Sequence, residues 1–301
     1  MKTETKVIKK GQNKNLGEVT FLTEKQYILV DGDDGTNKIS VNNLKDELGI
    51  NELGINDIHY ITIAHKSAGE LYQISFASTI EANAFYENKE IEMVSTNAIS
   101  IGDYAFWNSS LRTIIANSAT KIGYGAFGAS ELEYIEIQSA TRIEHRGLQT
   151  CYNLTEVSGP NVESIGYSGC NGCRKVTKYS FPKLEYIDLY GIISNASLVD
   201  FFAPKIKGLN SRAFQGCTNI TKYEFPDLAY CRDQVFCKNY ALEAIYLNCS
   251  SSVFGENNFV DAGTGVNGLT FYITADYIDT YTADFFEAQG CPHATAEEWI
   301  Q

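Results

Sequence analysis

The chain has 301 residues, 24 of them basic and 37 acidic, and its formal net charge at pH 7 is −13. This excess of negative charge disfavours nucleic acids and anionic membrane surfaces as partners, because both are negatively charged themselves. The sequence contains no apolar run of about 18 residues, so we expect no membrane insertion.

Two strands are predicted near the N-terminus, at residues 27–30 and 38–41, joined by a turn over residues 31–36. Asn42 or Asn43 would then cap a short helix. The turn is rich in aspartate but lacks the ligand spacing and the final glutamate of a calcium loop, so we interpret it as a hairpin turn.

Residues 1–66 lack the repeats that follow and are predicted to form an N-terminal module for attachment or capping, in which residues 57–65 are a strand that starts the next sheet. The stretch "YILVDGDDGTNKISVNNL" resembles the lead-in segment of many phage tail and baseplate proteins. That resemblance implies attachment to a virus particle. The first residues are charged with no apolar run behind them, so no secretory signal peptide is predicted.

The middle of the chain repeats with a fixed period. Four of the five prolines lie 22 residues apart, at Pro160, Pro182, Pro204 and Pro226. A period of about 20–29 residues is typical of leucine-rich-repeat solenoids. Apolar residues open nine successive units, at Leu71, Ile91, Leu111, Leu132, Leu154, Val176, Leu198, Ile220 and Leu242.

Each unit contains the same apolar rows. The third and fifth residues after the opener are mostly apolar, which predicts one short strand, and the proline row ends that strand. A second apolar row comprises Ile80, Ile101, Ile122, Ile143, Ile165, Ile187, Leu209, Cys231 and Val253. A small–large pair follows, as in Ala105–Phe106 and Ala126–Phe127, and its large residue is expected to fill the far side of the coil.

Units such as "LRTIIANSATKIGYGAFGAS" and "LVDFFAPKIKGLNSRAFQGCTN" resemble the BspA-like (type 5) leucine-rich repeat, and the resemblance covers residues 71–275. Departures are the missing glycines after Ile143, Ile187 and Leu209. The resemblance implies a non-catalytic protein, since family members are mostly surface proteins of bacteria and some protists that act in adhesion and binding.

Residues 67–268 are therefore predicted to form about nine repeats, and residues 269–301 a C-terminal strand and helix that cap the last coil. Apolar side chains at helical spacing would cover that coil: Tyr277, Ile278, Tyr281, Phe285 and Phe286. The final residues 291–301 receive no assignment. The fold class is β-rich α+β, a leucine-rich-repeat solenoid with one short parallel strand per coil of 20–22 residues, a small N-terminal hairpin and helix module, and a C-terminal helical cap.

All eight cysteines lie at residue 151 or later. Cys151, Cys173 and Cys217 share one position of the repeat, which favours reduced thiols in the core. A disulfide between Cys151 and Cys173 stays open as an alternative, because matching positions of neighbouring coils come close enough for one. The pair Cys170 and Cys173 lacks a second pair at the spacing of a zinc site.

No catalytic residue, metal ligand or cofactor is predicted. The four histidines, His59, His65, His145 and His293, lie in no triad or metal spacing, and no phosphate-binding or nucleophile motif occurs. His145 occupies the turn position that holds Tyr124 and Tyr167 in other coils. We therefore expect a surface row there, with Tyr104 beside it, that either binds or simply stacks.

Binding is expected on the exposed face of the strand sheet. The predicted site residues are Tyr134, Glu136, Lys178, Phe202, Lys222, Glu224 and Tyr246. Aromatic side chains on an open sheet are frequent anchors for protein or sugar. The alternative is that Phe202 and Tyr246 shield one another or a terminal loop.

The leading hypothesis from the sequence is a virion-associated phage protein, in a tail, fibre or head decoration, that serves host attachment or assembly. The alternative is a bacterial cell-surface adhesin of the BspA-like type that binds host or matrix proteins. The expected partners are a protein or glycan on a cell surface, or other virion proteins, with homo-oligomerisation through the N-terminal module as a further expectation.

Overall fold

The computed structural model describes residues 78–265 and 268–300. Before residue 78 it describes only the backbone of six strands. The six strands of that earlier part are Lys6–Ile8, Val19–Phe21, Tyr27–Gly32, Gly35–Ser40, Ile61–His65 and Tyr72–Ile74. The predicted helix after Asn42 or Asn43 lies outside the described residues.

The predicted N-terminal hairpin is confirmed. Strands Tyr27–Gly32 and Gly35–Ser40 pair antiparallel, with Gly32 opposite Gly35, so both strands extend into the segment 31–36 that the sequence predicts as a turn. The strand predicted to start the sheet is present as Ile61–His65 and pairs antiparallel with Ile91–Thr96. This pairing joins residues of the predicted module to the first repeats, and the boundary after residue 66 stays a prediction.

The repeats form a solenoid of about ten turns with about 22 residues per coil. One side, which we call the front sheet, holds one parallel strand per coil in three hydrogen-bonded groups. Its described strands are Ile91–Thr96, Thr113–Ile115, Tyr134–Glu136, Glu156–Ser158, Lys178–Ser180, Asp200–Phe202, Lys222–Phe225, Ala244–Leu247, Thr270–Ile273 and Thr295–Glu298. Each strand that precedes a repeat proline ends one or two residues before it, as predicted.

A second side, the back sheet, contains eight parallel strands of two residues each. They are Thr79–Ile80, Ser100–Ile101, Lys121–Ile122, Arg142–Ile143, Ser164–Ile165, Tyr186–Ile187, Gly208–Leu209 and Tyr230–Cys231. The second residue of each strand is buried, which confirms the second apolar row up to Cys231. The prediction for Val253 is wrong: Phe254 bridges to Cys231, because a 3-10 turn over Ser251–Val253 lengthens this coil by one residue.

The third side of each coil is a turn in which left-handed residues recur. Tyr104 and Arg146, for example, have φ of 54° and 58°. This geometry points their backbone N–H groups at the next coil, and Tyr104 N donates to Tyr124 O at 2.7 Å. The small–large pairs lie here, as predicted. Phe106 and Phe127 are fully buried, and their ring centroids stack at 5.6 Å.

The C-terminal cap departs from the prediction of one helical stripe. Residues Ile278–Thr280 form a 3-10 turn and Ala283–Ala288 a short α-helix, which the Thr282 side chain caps by accepting a hydrogen bond from Phe285 N. The apolar stripe still covers the last coil, since Phe286 is buried 5.2 Å from the ring of Phe271.

A further strand, Thr295–Glu298, pairs in parallel with Thr270–Ile273, where the sequence predicted no element. Its sequence TAEE lacks the alternation of buried apolar residues that marks the inner strands. The backbone pairing with Thr270–Ile273 holds it in place.

Candidate binding surfaces

The front sheet presents all seven predicted site residues on its outer face. The centre of each strand is turned inward, as in Tyr134–Glu136, where Ile135 is buried between two side chains that reach solvent. Tyr134 is 48% exposed and Phe202 is 50% exposed. Glu136 and Tyr246 are half-buried, and the others are exposed: Lys178, Lys222 and Glu224.

Two polar contacts order this face. The Tyr134 hydroxyl donates to the Glu136 carboxylate, and this hydrogen bond raises the pKa of Tyr134 to about 12. Lys178 pairs with Asp200 of the next coil at 3.0 Å. Because both side chains of that pair are exposed, it contributes little to stability and remains available for exchange with a partner.

Tyr246 differs from the other aromatic residues of this face, because C-terminal residues pack against it. Its ring stacks on Tyr272 at 4.6 Å and contacts the edge of Trp299 at 5.5 Å. Shielding by the chain terminus is therefore the observed arrangement at Tyr246, whereas Phe202 is exposed.

A second surface, which we call the turn-side ladder, runs along the edge between the back sheet and the turns. It consists of one aromatic ring per coil, from Tyr104 through Tyr124, His145 and Tyr167 to Tyr190. Successive ring centroids are 5.1, 6.1, 6.2 and 5.8 Å apart. The sequence predicted this row except for Tyr190. Like Tyr104, Tyr190 lies one position later in its coil than Tyr124, His145 and Tyr167 and has a left-handed backbone, with φ of 60°.

Two arginines pack on the ladder. The Cζ atom of Arg146 lies 5.8 Å from the ring centroid of Tyr124 and 5.9 Å from that of Tyr167, so its guanidinium contacts both rings. Arg212 lies over Tyr190 at 5.7 Å and donates from Nη1 to the Tyr190 hydroxyl at 3.0 Å.

Beyond Tyr190 the same edge opens into a shallow cavity of about 340 Å³. Its lining comprises Leu189, Tyr190, Ser211, Arg212, Asp233, Gln234, Glu256 and Asn257. Arg212 Nε donates to Gln234 Oε1 at 2.6 Å, and Asp233 Oδ1 accepts from Glu256 N at 2.9 Å. The cavity is therefore lined mainly by hydrogen-bonding side chains that are already ordered.

The cysteines are buried, and three of them, Cys151, Cys173 and Cys217, share a repeat position from which the thiol donates a hydrogen bond to a backbone carbonyl. All eight are free and buried. Cys151 Sγ donates to Phe127 O at 3.1 Å, and Cys173 Sγ donates to Leu148 O at 3.0 Å. Burial raises the pKa of the Cys151 thiol to about 12, and the hydrogen bonds to Ser130 lower it only partly. The reactive thiolate is therefore scarce at neutral pH.

We expect the native protein to resist thiol reagents near pH 8, because its thiols are buried and their pKa values are raised. Ellman's reagent should find eight free thiols per chain after unfolding without a reductant. A count of six would show that one disulfide is present, against the free thiols described above. The same count of six in the double variant Cys151→Ser and Cys173→Ser, which removes two of the eight thiols, would then assign the bridge to that pair.

Potential metal ligands do not cluster on either surface within the described residues. Within residues 78–265 and 268–300, no group of three or more His, Cys, Asp or Glu side chains could hold a metal ion. The helices in that part of the chain are all too short or too polar to cross a membrane.

The stacked coils, with one front strand and one back strand per turn, define a leucine-rich-repeat solenoid. The model of the BspA type leucine rich repeat region matches residues 78–199 and 192–287 in six copies. The matches together span more than half of the chain, so the protein belongs to the BspA-type leucine-rich-repeat family. Such repeat proteins typically bind other proteins and are non-catalytic.

A solved structure shows the same fold, and a second one is similar in part. A leucine-rich repeat protein from Bacteroides ovatus is 18% identical, with a TM-score of 0.53, over 94% of this chain and 76% of its own. A leucine rich cell surface protein from Faecalibacterium prausnitzii is 17% identical, with a TM-score of 0.46, over 84% of this chain and 75% of its own. No curated protein matches the chain.

Proposed function

We propose that this chain is a binding protein of a bacterial cell surface that holds a partner protein on its front sheet. Membership of the BspA-type family supports a role in adhesion, as the repeat resemblance implies. We assign binding to the front sheet because two large aromatic side chains, Tyr134 and Phe202, remain about half exposed on this hydrogen-bonded sheet.

The front sheet has the properties of a protein-binding surface. Tyr134 and Phe202 lie three rungs apart, which is about 14 Å at about 4.8 Å per rung. On the two strands between them, the same face presents the small residues Ser158 and Ser180 beside the exposed Glu156 and Lys178. A partner that fits between these charged side chains can bury both rings, which would act as anchors of the interface. The strands hold these side chains in register, so binding orders little of this chain.

Charged groups surround the aromatic anchors. Lys178 pairs with the exposed Asp200, while Lys222 and Glu224 on the neighbouring strand are exposed. Charges at the rim of an interface mainly tune the association rate and the choice of partner. We therefore assign affinity to the two aromatic residues, and specificity to Glu136, Lys178, Lys222 and Glu224.

The virion hypothesis stays a prediction. The resemblance behind it falls within residues 27–44, and the hairpin found there, Tyr27–Gly32 with Gly35–Ser40, is a structure that many proteins share. Binding to other virion proteins and homo-oligomerisation through the N-terminal module stay predictions as well.

The proposal is tested with the single substitutions Tyr134→Ser and Phe202→Ser, measured by surface plasmon resonance on immobilised fibronectin, laminin and collagen. For any protein that the full chain binds, each change should weaken binding by about tenfold or more, because a buried anchor is lost. The matched control is Tyr240→Ser, whose ring is 44% exposed outside the front sheet. Equal binding by all three variants would exclude the front sheet as the protein-binding surface.

A further inference from the structure

We propose that the turn-side ladder and the adjoining cavity bind a linear neutral glycan. Its sugar rings would lie against the aromatic rings, and its hydroxyl groups would bond to the side chains that line the cavity beyond Tyr190. This site is separate from the front sheet and does not depend on the protein partner proposed for that sheet.

The ladder is regular enough to match a repeating ligand. Each coil from Tyr104 to Tyr190 contributes one half-buried ring, and adjacent centroids lie 5.1–6.2 Å apart. An extended chain parallel to the solenoid axis would therefore meet one ring per coil. The repeat length of one pyranose in an extended glycan is similar to the spacing between adjacent rings. Successive sugars can therefore contact the rings of successive coils.

The rings are also held in place before a ligand arrives. Neighbouring rings pack tilted or edge to face, which is a favoured geometry for aromatic pairs. Arg146 contacts Tyr124 and Tyr167 on either side of His145, and this contact further fixes the row. Side chains that are ordered in advance lose little entropy on binding.

Arg146 also brings hydrogen-bonding capacity to the ladder. A guanidinium has five N–H donors. The Nε atom of Arg146 is buried and has no hydrogen-bond partner within the described part of the chain, so only the Nη donors of this side chain can serve a ligand. The two neighbouring tyrosines add hydroxyl groups at the same edge. An aromatic surface with donors and acceptors at its rim suits a sugar, whose C–H face is apolar and whose hydroxyl groups project from the ring edge.

The cavity favours a glycan over the other extended ligands that aromatic rows accept. Proline-rich peptides dock on aromatic grooves, but proline has no backbone N–H to bond to carboxylates. This cavity offers the acceptors Asp233 and Glu256 beside the donor Arg212, which together match hydroxyl groups that both donate and accept. The same carboxylates, and the net charge of −13, disfavour an acidic polysaccharide.

Binding is tested by affinity electrophoresis of the full chain in gels that contain hydroxyethylcellulose, xylan, galactomannan or dextran. We expect at least one of these neutral polysaccharides to retard the protein. Tyr167→Ala and Arg212→Ala should each weaken the retardation about tenfold, because one removes a ring and the other a cavity donor. Tyr152→Ala is the matched control, since Tyr152 is an exposed aromatic residue outside the ladder that also lies under an arginine.

Tryptophan fluorescence locates the site without substituting a residue of the ladder itself. The chain has two tryptophans. Trp107 lies 5.5 Å from Tyr104 at the start of the ladder, and Trp299 lies beside Tyr246 on the front sheet. In Trp299→Phe the emission of Trp107 should change when the retarding polysaccharide is added. In Trp107→Phe the emission of Trp299 should stay constant.

Several results would overturn the proposal. One is the absence of retardation by all four neutral polysaccharides. Another is retardation that the ladder and cavity substitutions leave unchanged, or a fluorescence response that comes from Trp299 instead of Trp107. A decaproline peptide or polygalacturonate that changes Trp107 emission, where the neutral polysaccharides do not, would assign the ladder to a peptide or an acidic glycan.

Discussion

Replacing Phe127 with alanine should lower the free energy of unfolding by about 3–5 kcal/mol. Phe127 is fully buried in the phenylalanine row, 5.6 Å from the ring of Phe106. Its backbone accepts hydrogen bonds from the Ser130 hydroxyl and the Cys151 thiol, and alanine would retain them. The expected loss therefore comes from the missing ring and the cavity that it leaves between coils.

The measurement is chemical denaturation of the full chain, followed by circular dichroism. Coils contact mainly their neighbours, so the loss should be largest for the repeats around residue 127 and can broaden the transition. Phe202→Ala is the control, because the same residue type is removed from an exposed site and should change stability by about 0.5 kcal/mol or less. Equal stability of both variants would mean that the assignment of the core rows is wrong.

The solenoid could be predicted from the sequence because the same apolar positions recur in every repeat. The openers from Ile91 to Leu242 are buried, and the back-sheet row is correct up to Cys231. The prediction failed where the period changes. The coil after Cys231 contains an added residue, which moves the bridge to Phe254. Strand Thr295–Glu298 follows no repeat pattern, and its position depends on pairing with Thr270–Ile273.

The outward placement of the front-sheet side chains could be predicted, because strand alternation decides which side chains face outward, while their role in binding stays a prediction. Tyr134 and Phe202 are exposed for that reason. Alternation does not determine which outward side chains are covered by distant residues. The stacking of Tyr246 on Tyr272 depends on how the C-terminal segment folds back, and no local pattern encodes that contact.

One signal in the sequence was overlooked. Two buried asparagines, Asn195 and Asn239, occupy the position that holds cysteine or serine in other coils. Each follows a buried tyrosine by 16 residues and accepts its hydroxyl at 2.9 Å, from Tyr179 in one coil and Tyr223 in the other. In the coil between them the same two positions hold Phe201 and Cys217, a pair without a phenolic hydroxyl.

Hydrogen bonding explains why some coils have tyrosine with asparagine and the coil between them has phenylalanine with cysteine. Asparagine offers both a donor and an acceptor, so Asn195 donates to Cys170 O at 2.9 Å while it accepts from Tyr179. Cys217 donates its thiol to Ile192 O at 3.3 Å, and its coil contains no tyrosine at the paired position. A tyrosine at the strand centre therefore requires asparagine in the turn, because a cysteine would leave the buried hydroxyl with a poor partner.

This rule predicts strong coupling between Tyr179 and Asn195. Asn195→Cys should cost about 1–3 kcal/mol, because the hydroxyl of Tyr179 loses its acceptor in a fully buried site. Tyr179→Phe alone should cost less, since only one hydrogen bond is lost and Asn195 keeps its backbone partners. The double variant recreates the pair found at Phe201 and Cys217, so it should be more stable than the sum of the two single losses implies.

The test is a double-mutant cycle measured by denaturation. The expected coupling energy between the two sites is about 1 kcal/mol or more in favour of matched pairs. The second pair provides an independent repetition, because Tyr223→Phe and Asn239→Cys should give a coupling of the same sign. Additive losses in both cycles would show that the two positions tolerate their residues independently. Coupling in both cycles would mean that the residue at the strand centre and the residue in the turn of one coil depend on each other. Buried hydrogen bonds would then explain why the sequence varies at these two positions of the repeat.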